Sequence, residues 1–278
     1  MKQNKFIIGG LVLILILTSA CLSESNLTTQ EIQTRLIEAK SNLDSYAVDT
    51  NVRMAVATEL MEQPMRIDYL LISKSDVDRV NKKMIMTGTI NMDMIGMKSE
   101  METEGYVVDG YLYTKALNQW MKMELDDDMW VEQDQVRQLI ELTESGSVER
   151  LPDESFDDNS YYVLALYPDL EKLAELSLKQ QQDSELPDLG SDFEESIKEY
   201  SSTIWVNKKT FVIDRSVQHI VMAIASDGSV PFVGGGISTD ATHEIRISDV
   251  GKEVVFDLPA DARDAVDLSD LMGLSEFE

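Results

Sequence analysis

Tyr106-Val107-Val108-Asp109-Gly110-Tyr111-Leu112-Tyr113-Thr114 sets an Asp-Gly pair between two runs of β-branched and aromatic residues. Asp and Gly tolerate the positive φ angles of a tight hairpin turn, and the flanking residues favour extended backbone. The stretch reads as a β-hairpin, and the pattern spreads outward from it. Upstream, Tyr46, Val48, Thr50, Val52, Met54 and Val56 alternate with Asp49, Asn51 and Arg53, the period of a half-buried strand. Residues 66–73, 82–94, 98–108 and 111–125 read as further strands, broken at 76–78, at Ile95-Gly96 and at Asp109-Gly110. Downstream, 147–151 and 160–167 flank the polar turn Asp157-Asp158-Asn159. Residues 201–206 and 211–225 form a hairpin across Asn207-Lys208-Lys209-Thr210, and 243–248 and 254–258 surround Asp249-Val250-Gly251.

Helices punctuate this β-rich order. Thr28 and Glu31 have capping-box spacing, and Ile32, Leu36, Ala39 and Leu43 share one helical face, so a helix is expected over 29–45. A second is expected within 132–144, where Val136, Leu139, Ile140 and Thr143 share a face and Gly146 stops it. Pro168 opens a third through Leu170, Leu173 and Leu176. Residues 180–192 read as a polar connection and Gly234-Gly235-Gly236 as a mobile loop. Long antiparallel strands with a few helices predict an α+β fold: a half-open, strongly curved antiparallel sheet, an incomplete β-barrel, closed by helices. No linker separates two cores, so residues 28–278 form one domain.

The N-terminus says where that domain sits. Lys2 and Lys5, the apolar run 6–17 and the small residues Thr18-Ser19-Ala20 lead to Cys21, the single cysteine of the 278-residue chain, as in an export signal. The apolar run is shorter than the ~20 residues a membrane-spanning helix needs, which weighs against an uncleaved anchor. Residues 1–20 are thus a signal peptide and 21–27 a tether, polar and aperiodic. With 51 acidic against 24 basic residues the net charge is -27. Such a surface repels phosphate backbones and excludes nucleic acid as a partner; its plain reading is solvation, with an acidic binding site as the alternative. Charged residues at 27% and apolar residues at 43% are ordinary globular usage, so wholesale disorder is excluded. With a single cysteine, no intrachain disulfide or multi-thiolate metal site can form.

Three segments carry a family likeness: 106–114 followed by Trp120; Leu151-Pro152-Asp153-Glu154-Ser155 leading into Tyr161-Tyr162-Val163-Leu164; and Trp205-Val206-Asn207-Lys208-Lys209-Thr210-Phe211. With the closing 251–259 and the lipobox-like Thr18 to Cys21, the chain resembles the LolA-like superfamily of prokaryotic lipoproteins, which includes LolA, LolB and the LppX and LprG group. The resemblance implies a half-open barrel around an apolar cavity for acyl chains, with Cys21 lipidated as the mature N-terminus and the protein anchored on the outward face of the cell membrane. Two departures limit it. The chain keeps its own anchor, unlike soluble LolA, and it is far more acidic, so neither shuttling nor a cargo carries over.

Within the domain, Met84, Met86, Ile90, Met92 and Met94 fall on one face of a strand and Met97 and Met101 on one face of the next. Methionine is unbranched and polarisable, so such a face can repack around ligands of differing shape, or it can simply be core. Cu(I) binding by thioethers is disfavoured because no cysteine or histidine is near in sequence. Tyr106, Tyr111, Tyr113, Trp120, Trp130 and Trp205 can fill a core or line a pocket. The expected cavity residues are Met84, Met86, Ile90, Met92, Met94, Met97, Met101, Tyr113 and Trp120. His219 and His243 lack metal-ligand spacing, and Asp126-Asp127-Asp128 lacks that of a calcium loop and reads as a solvated turn or helix start. Asn26-Leu27-Thr28 matches a glycosylation sequon by chance as readily as by design. No nucleophile elbow, phosphate loop or zinc-protease motif is present, so neither catalysis, a metal nor a cofactor is expected. The sequence predicts a lipoprotein that binds or chaperones a lipid or other hydrophobic ligand. The alternative is a non-enzymatic envelope interaction module without a ligand cavity.

Overall fold

The computed structural model describes residues 27–40, 43–60, 63–116, 119–169, 193–224 and 236–268. The expected signal peptide, Cys21, the helix expected from Pro168 and most of the loop expected at the triple glycine lie outside these residues.

Twelve strands form one sheet: β1 (Ser45–Leu60), β2 (Gln63–Asp78), β3 (Lys83–Met94), β4 (Met97–Val108), β5 (Tyr111–Ala116), β6 (Gln119–Glu124), β7 (Ser147–Phe156), β8 (Asn159–Tyr167), β9 (Ile197–Asn207), β10 (Ile213–Ile224), β11 (Ile237–Ser248) and β12 (Val266–Asp267). Their order is β12-β6-β5-β4-β3-β2-β1-β11-β10-β9-β8-β7. Two antiparallel meanders, β1 to β6 and β7 to β11, join where β1 pairs with β11. The short β12 adds in parallel to β6. The two edge strands, β12 and β7, are not paired with each other, so the sheet is open rather than a closed barrel.

The Asp109-Gly110 turn forms as expected, with φ of 54° and 80°. Ile95-Gly96 makes the β3–β4 turn the same way, at 54° and 78°. The expected break at 76–78 is instead strand: β2 runs on to Asp78, and the chain turns at 79–82. The single strand expected over 111–125 is a hairpin, β5 and β6. Residues 254–258, expected as strand, take no regular structure; they form a strap leading to a 3-10 helix, Ala260–Asp264.

Helix α1 (Thr29–Ala39) is capped by Thr28 and Glu31 in a reciprocal box and ends earlier than the expected residue 45. A short helix, α2 (Asp127–Gln133), precedes the one expected within 132–144, which is α3 (Gln135–Ser145), with Asp134 between them capping the second. A last short helix, α4 (Phe193–Ser196), precedes β9. The connection carrying α2 and α3 starts from β6 near one sheet edge and ends at β7 on the other. It must therefore cross one face of the sheet, and it packs there with α1. Ile32 and Leu36 of α1 and Leu139 and Ile140 of α3 share one core with Tyr46, Val77, Met84, Val107, Leu164, Ile204 and Ile245 from the sheet.

Residues paired across strands point to the same side, so the register assigns every side chain to the helix-side face or the reverse face. On the helix-side face Tyr46, Val77, Met84, Val107 and Leu112 form one row under the helices. Two rows further along the strands lies a row of small residues, Ser216, Thr50, Ser73, Gly88 and Thr103, interrupted only by Ile245. At Gly88 a Cβ would stand 2.8 Å from the Ile72 carbonyl oxygen and 2.9 Å from Ser73 Cβ, so this close approach of β2 and β3 requires glycine.

The reverse face is polar at its centre and buried toward the edges. Tyr106, Trp120, Ala262 and Ala265 form a second core with Ile85, Tyr113, Phe256 and Leu258, closed over by the strap. Tyr161, Val163 and Trp205 form a third, packed with Leu151, Phe156 and Val217.

Candidate functional site

Beyond the small-residue row, the helix-side face continues for three rows. The first is Gln218, His243, Val52, Leu71, Ile90 and Met101; the second is Ile220, Ala241, Met54, Tyr69, Met92 and Ser99; the third is Met222, Thr239, Val56, Ile67, Met94 and Met97. None of these eighteen side chains is Asp, Glu, Lys or Arg. The matching rows of the reverse face carry Glu100, Arg53, Lys98, Asp93, Asp68 and Asp240. In a chain whose residues are 27% charged, this segregation is what a face withheld from water requires. It is nevertheless only partly covered: Met92 is 37% exposed, Met101 39% and Met97 63%.

The nine expected cavity residues separate. Met86, Ile90, Met92, Met94, Met97 and Met101 share the helix-side face, with Ile90 opposite Met101 and Met94 opposite Met97. Met84 shares that face too but is 5% exposed in the main core. Tyr113 and Trp120 lie on the other side of the sheet, because Tyr113 pairs with Tyr106, whose neighbour Val107 is the residue that points to the helices. They pack under the strap, with the Lys115 ammonium 5.4 Å from the Trp120 ring centroid. Of the other aromatics, Trp130 belongs to the main core. Trp205 donates from Nε1 to Glu154 at 2.9 Å and carries the Arg215 guanidinium 4.6 Å from its ring.

The sheet's curvature makes a site that the sequence reading missed. A hollow of about 760 Å³ lies on the reverse face, behind the small-residue row, and is lined by Asp49, Lys74, Thr87, Glu104, Lys115 and Arg246 among others. A second, about 600 Å³, continues toward Arg53, Asp68, Asn91 and Asp93. Several of the charges are already matched: Lys115 with Glu104 at 3.8 Å, and both Arg215 and Arg246 with Glu244 at 3.0 and 3.2 Å. The only signal for these hollows was the interior glycine of β3. Among the described residues no group of three or more His, Cys, Asp or Glu could hold a metal ion.

The two histidines fall on opposite faces. His219 lies on the reverse face beside Asp240 at 3.0 Å and Glu199 at 3.6 Å. His243 lies on the uncharged helix-side face, where burial holds its pKa below the ordinary histidine value. The unfolded chain binds this proton more tightly than the folded one, so stability attributable to His243 is full above about pH 6.5 and falls as the pH drops below it. The melting temperature should therefore decline from pH 7 to 5 more steeply in the wild type than in His243→Leu. Parallel declines would place the imidazole in contact with water.

The DUF6612 family, a family of unknown function, matches residues 28–233, from the N-cap of α1 to a point just before β11. The chain belongs to this family. No functionally curated protein matches it. Among solved structures, it is similar to LprF from Mycobacterium bovis, at 14% identity and a TM-score of 0.46, covering 84% of this chain and 100% of that one. It is also similar to the lipoprotein LppX of Mycobacterium tuberculosis, at 12% identity and a TM-score of 0.41, covering 83% and 100%. A domain described as an outer membrane lipoprotein-sorting protein from Vibrio parahaemolyticus matches at 11% identity and a TM-score of 0.22, covering 84% and 96%. The LppX group named from the sequence is thus among the structural neighbours of this family member.

Proposed function

We propose that the protein is a lipid-anchored lipoprotein of the outward membrane face that binds or chaperones a lipid or other hydrophobic ligand on the helix-side face of its open sheet. The observation that carries this is the run of three uncharged rows extending past the helices, with Met92, Met97 and Met101 left exposed. A continuous apolar surface in water marks a binding site, and methionine suits one whose occupant varies in shape. The fastening at the start of the domain fits an anchor at Cys21. Arg150 Nη1 donates to the Leu27 carbonyl at 2.6 Å and Leu27 packs on the core, so the six steps from Cys21 to Leu27 hold the domain within about 20 Å of the lipid. Cys21→Ser should leave the membrane fraction or persist as an uncut precursor, with no incorporation of a labelled lipid precursor. Equal labelling of wild type and variant would overturn the anchor.

Native mass spectrometry of the gently extracted wild-type chain tests the binding role, with a non-covalent apolar adduct expected. A chain free of adduct that also takes up no neutral fluorophore such as N-phenyl-1-naphthylamine would overturn it. The second reading, an envelope interaction module without a ligand cavity, draws on the reverse face, where the 760 Å³ hollow is polar and open. It predicts that charge reversals at Lys74 and Arg246, not changes on the methionine face, abolish function.

A further inference from the structure

The uncharged face is not uniformly apolar, and two of its buried polar atoms stand unpartnered next to each other on the β10–β11 side. Ser216 of β10 is 0% exposed, and its hydroxyl has no hydrogen-bond partner among the described residues. The same holds for Nε2 of His243 on β11, which is shut off from solvent. Ser216 stands opposite Ile245, two residues along β11 from His243, so the two groups are diagonal neighbours on one face and within reach of one small group. Gln218 lies directly opposite His243. From His243 the row runs through Val52, Leu71 and Ile90 to Met101. That is four strand spacings, about 19 Å, enough to lay down an extended acyl chain.

Buried polar atoms cost stability unless something hydrogen-bonds them, and two such atoms side by side at the head of an apolar row ask for a shared partner. The partner's charge is constrained as well. A phosphate or carboxylate there would be desolvated with no cation in the three adjoining rows to pair it, a far larger cost than burying a neutral hydroxyl. We propose that this face receives the polar end of its ligand at Ser216 and His243, and that this end is uncharged, the hydroxyls or ester of an acylglycerol-type lipid, with the chain running toward Met101. The inference rests on reading this face as the ligand face.

The test uses the full chain in its membrane fraction and three photoreactive probes with a diazirine at the tail end: a monoacylglycerol, a hydrocarbon of the same length and a lysophosphatidic acid. Wild-type chain should be labelled about tenfold more by the monoacylglycerol than by the hydrocarbon, the gap one or two hydrogen bonds supply, and least by the phosphate. The adducts should map to the peptides around Met92 and Met101. In the Ser216→Ala and His243→Leu double variant the tenfold preference should vanish while hydrocarbon labelling and folding persist. Its melting temperature should be equal or higher, since each change removes an unpartnered polar atom. Equal labelling of the wild type by monoacylglycerol and hydrocarbon would overturn the head-group seat and leave the apolar face standing. Stronger labelling by the phosphate would overturn the neutrality of the head. Labelling by none of the three would overturn both this inference and the ligand face on which it rests.

Discussion

Asp134→Ala is expected to destabilise the fold by about 3–5 kcal/mol in urea denaturation, the range for removing one partner of a buried ion pair. Asp134 is 5% exposed and joins three parts of the molecule, with a fourth reached through Arg79. Its carboxylate accepts from the Tyr46 hydroxyl of β1 at 2.7 Å, from Arg79 Nε in the β2–β3 turn at 2.8 Å, and from the backbone N–H of Arg137 at 2.9 Å, where it caps α3. Arg79 in turn donates to the carbonyls of Lys40 and Leu43 just after α1, at 3.3 and 3.1 Å. Burial, with the neighbouring carboxylate, pushes the Tyr46 phenol well above its ordinary pKa, so Tyr46 stays a donor at every working pH. Alanine leaves that hydroxyl and the guanidinium without their acceptor and removes a helix cap, which alone is worth about 1 kcal/mol. Asp134→Asn keeps an acceptor for Tyr46 and the cap and should cost markedly less. A loss under about 1 kcal/mol for Asp134→Ala would show that water takes the place of the carboxylate.

This hub shows where sequence reading stops. The capping box at Thr28 was legible because its partners are three residues apart, whereas Asp134, Arg79 and Tyr46 are brought together only by the sheet. The alternation in β1 to β4 fixed which residues share a face, and that is why Met86 to Met94 and Met97 to Met101 were grouped correctly on one side. Across the Asp109-Gly110 turn the alternation is lost. There, Tyr106-Val107-Val108 is a continuous apolar run rather than an alternating one, the mark of a strand buried on both faces. Tyr113 and Trp120, expected in the cavity with the methionines, therefore lie beneath the strap instead. The runs at 161–166 and 204–206 carry the same mark, and both faces are buried there too. That a separate helix, α2, ends where Asp134 caps α3 is hidden, because Asp passes unremarked near a helix start until its side chain has somewhere buried to go. The reverse-face hollows leave no trace in the sequence beyond the interior Gly88, since curvature is a property of the whole sheet.

Met84→Asp and Met92→Asp are expected to fail in different ways, although the two residues lie on one face of one strand. Met84 is 5% exposed between Val77 and Val107 under the helices. A carboxylate there has no partner and little water, so the variant should lose more than about 4 kcal/mol and fail to fold cooperatively. Met92 is 37% exposed, opposite Tyr69 and Ser99, in a row with no basic side chain. A carboxylate there keeps its water, and the melting temperature should stay within a few degrees of wild type, about 1 kcal/mol or less. What changes is the face. Any apolar ligand lying across Met92 would have to strip that carboxylate of water, and uptake of N-phenyl-1-naphthylamine should fall at least tenfold, the consequence of about 1.4 kcal/mol or more of desolvation. Thr87→Asp, on the reverse face of the same strand, adds the same charge without touching the methionine face and should leave both melting and uptake unchanged. If Met92→Asp took up the probe like the wild type while Thr87→Asp lost it, the ligand would belong in the polar hollow, and the methionines would be reduced to the rim of the core.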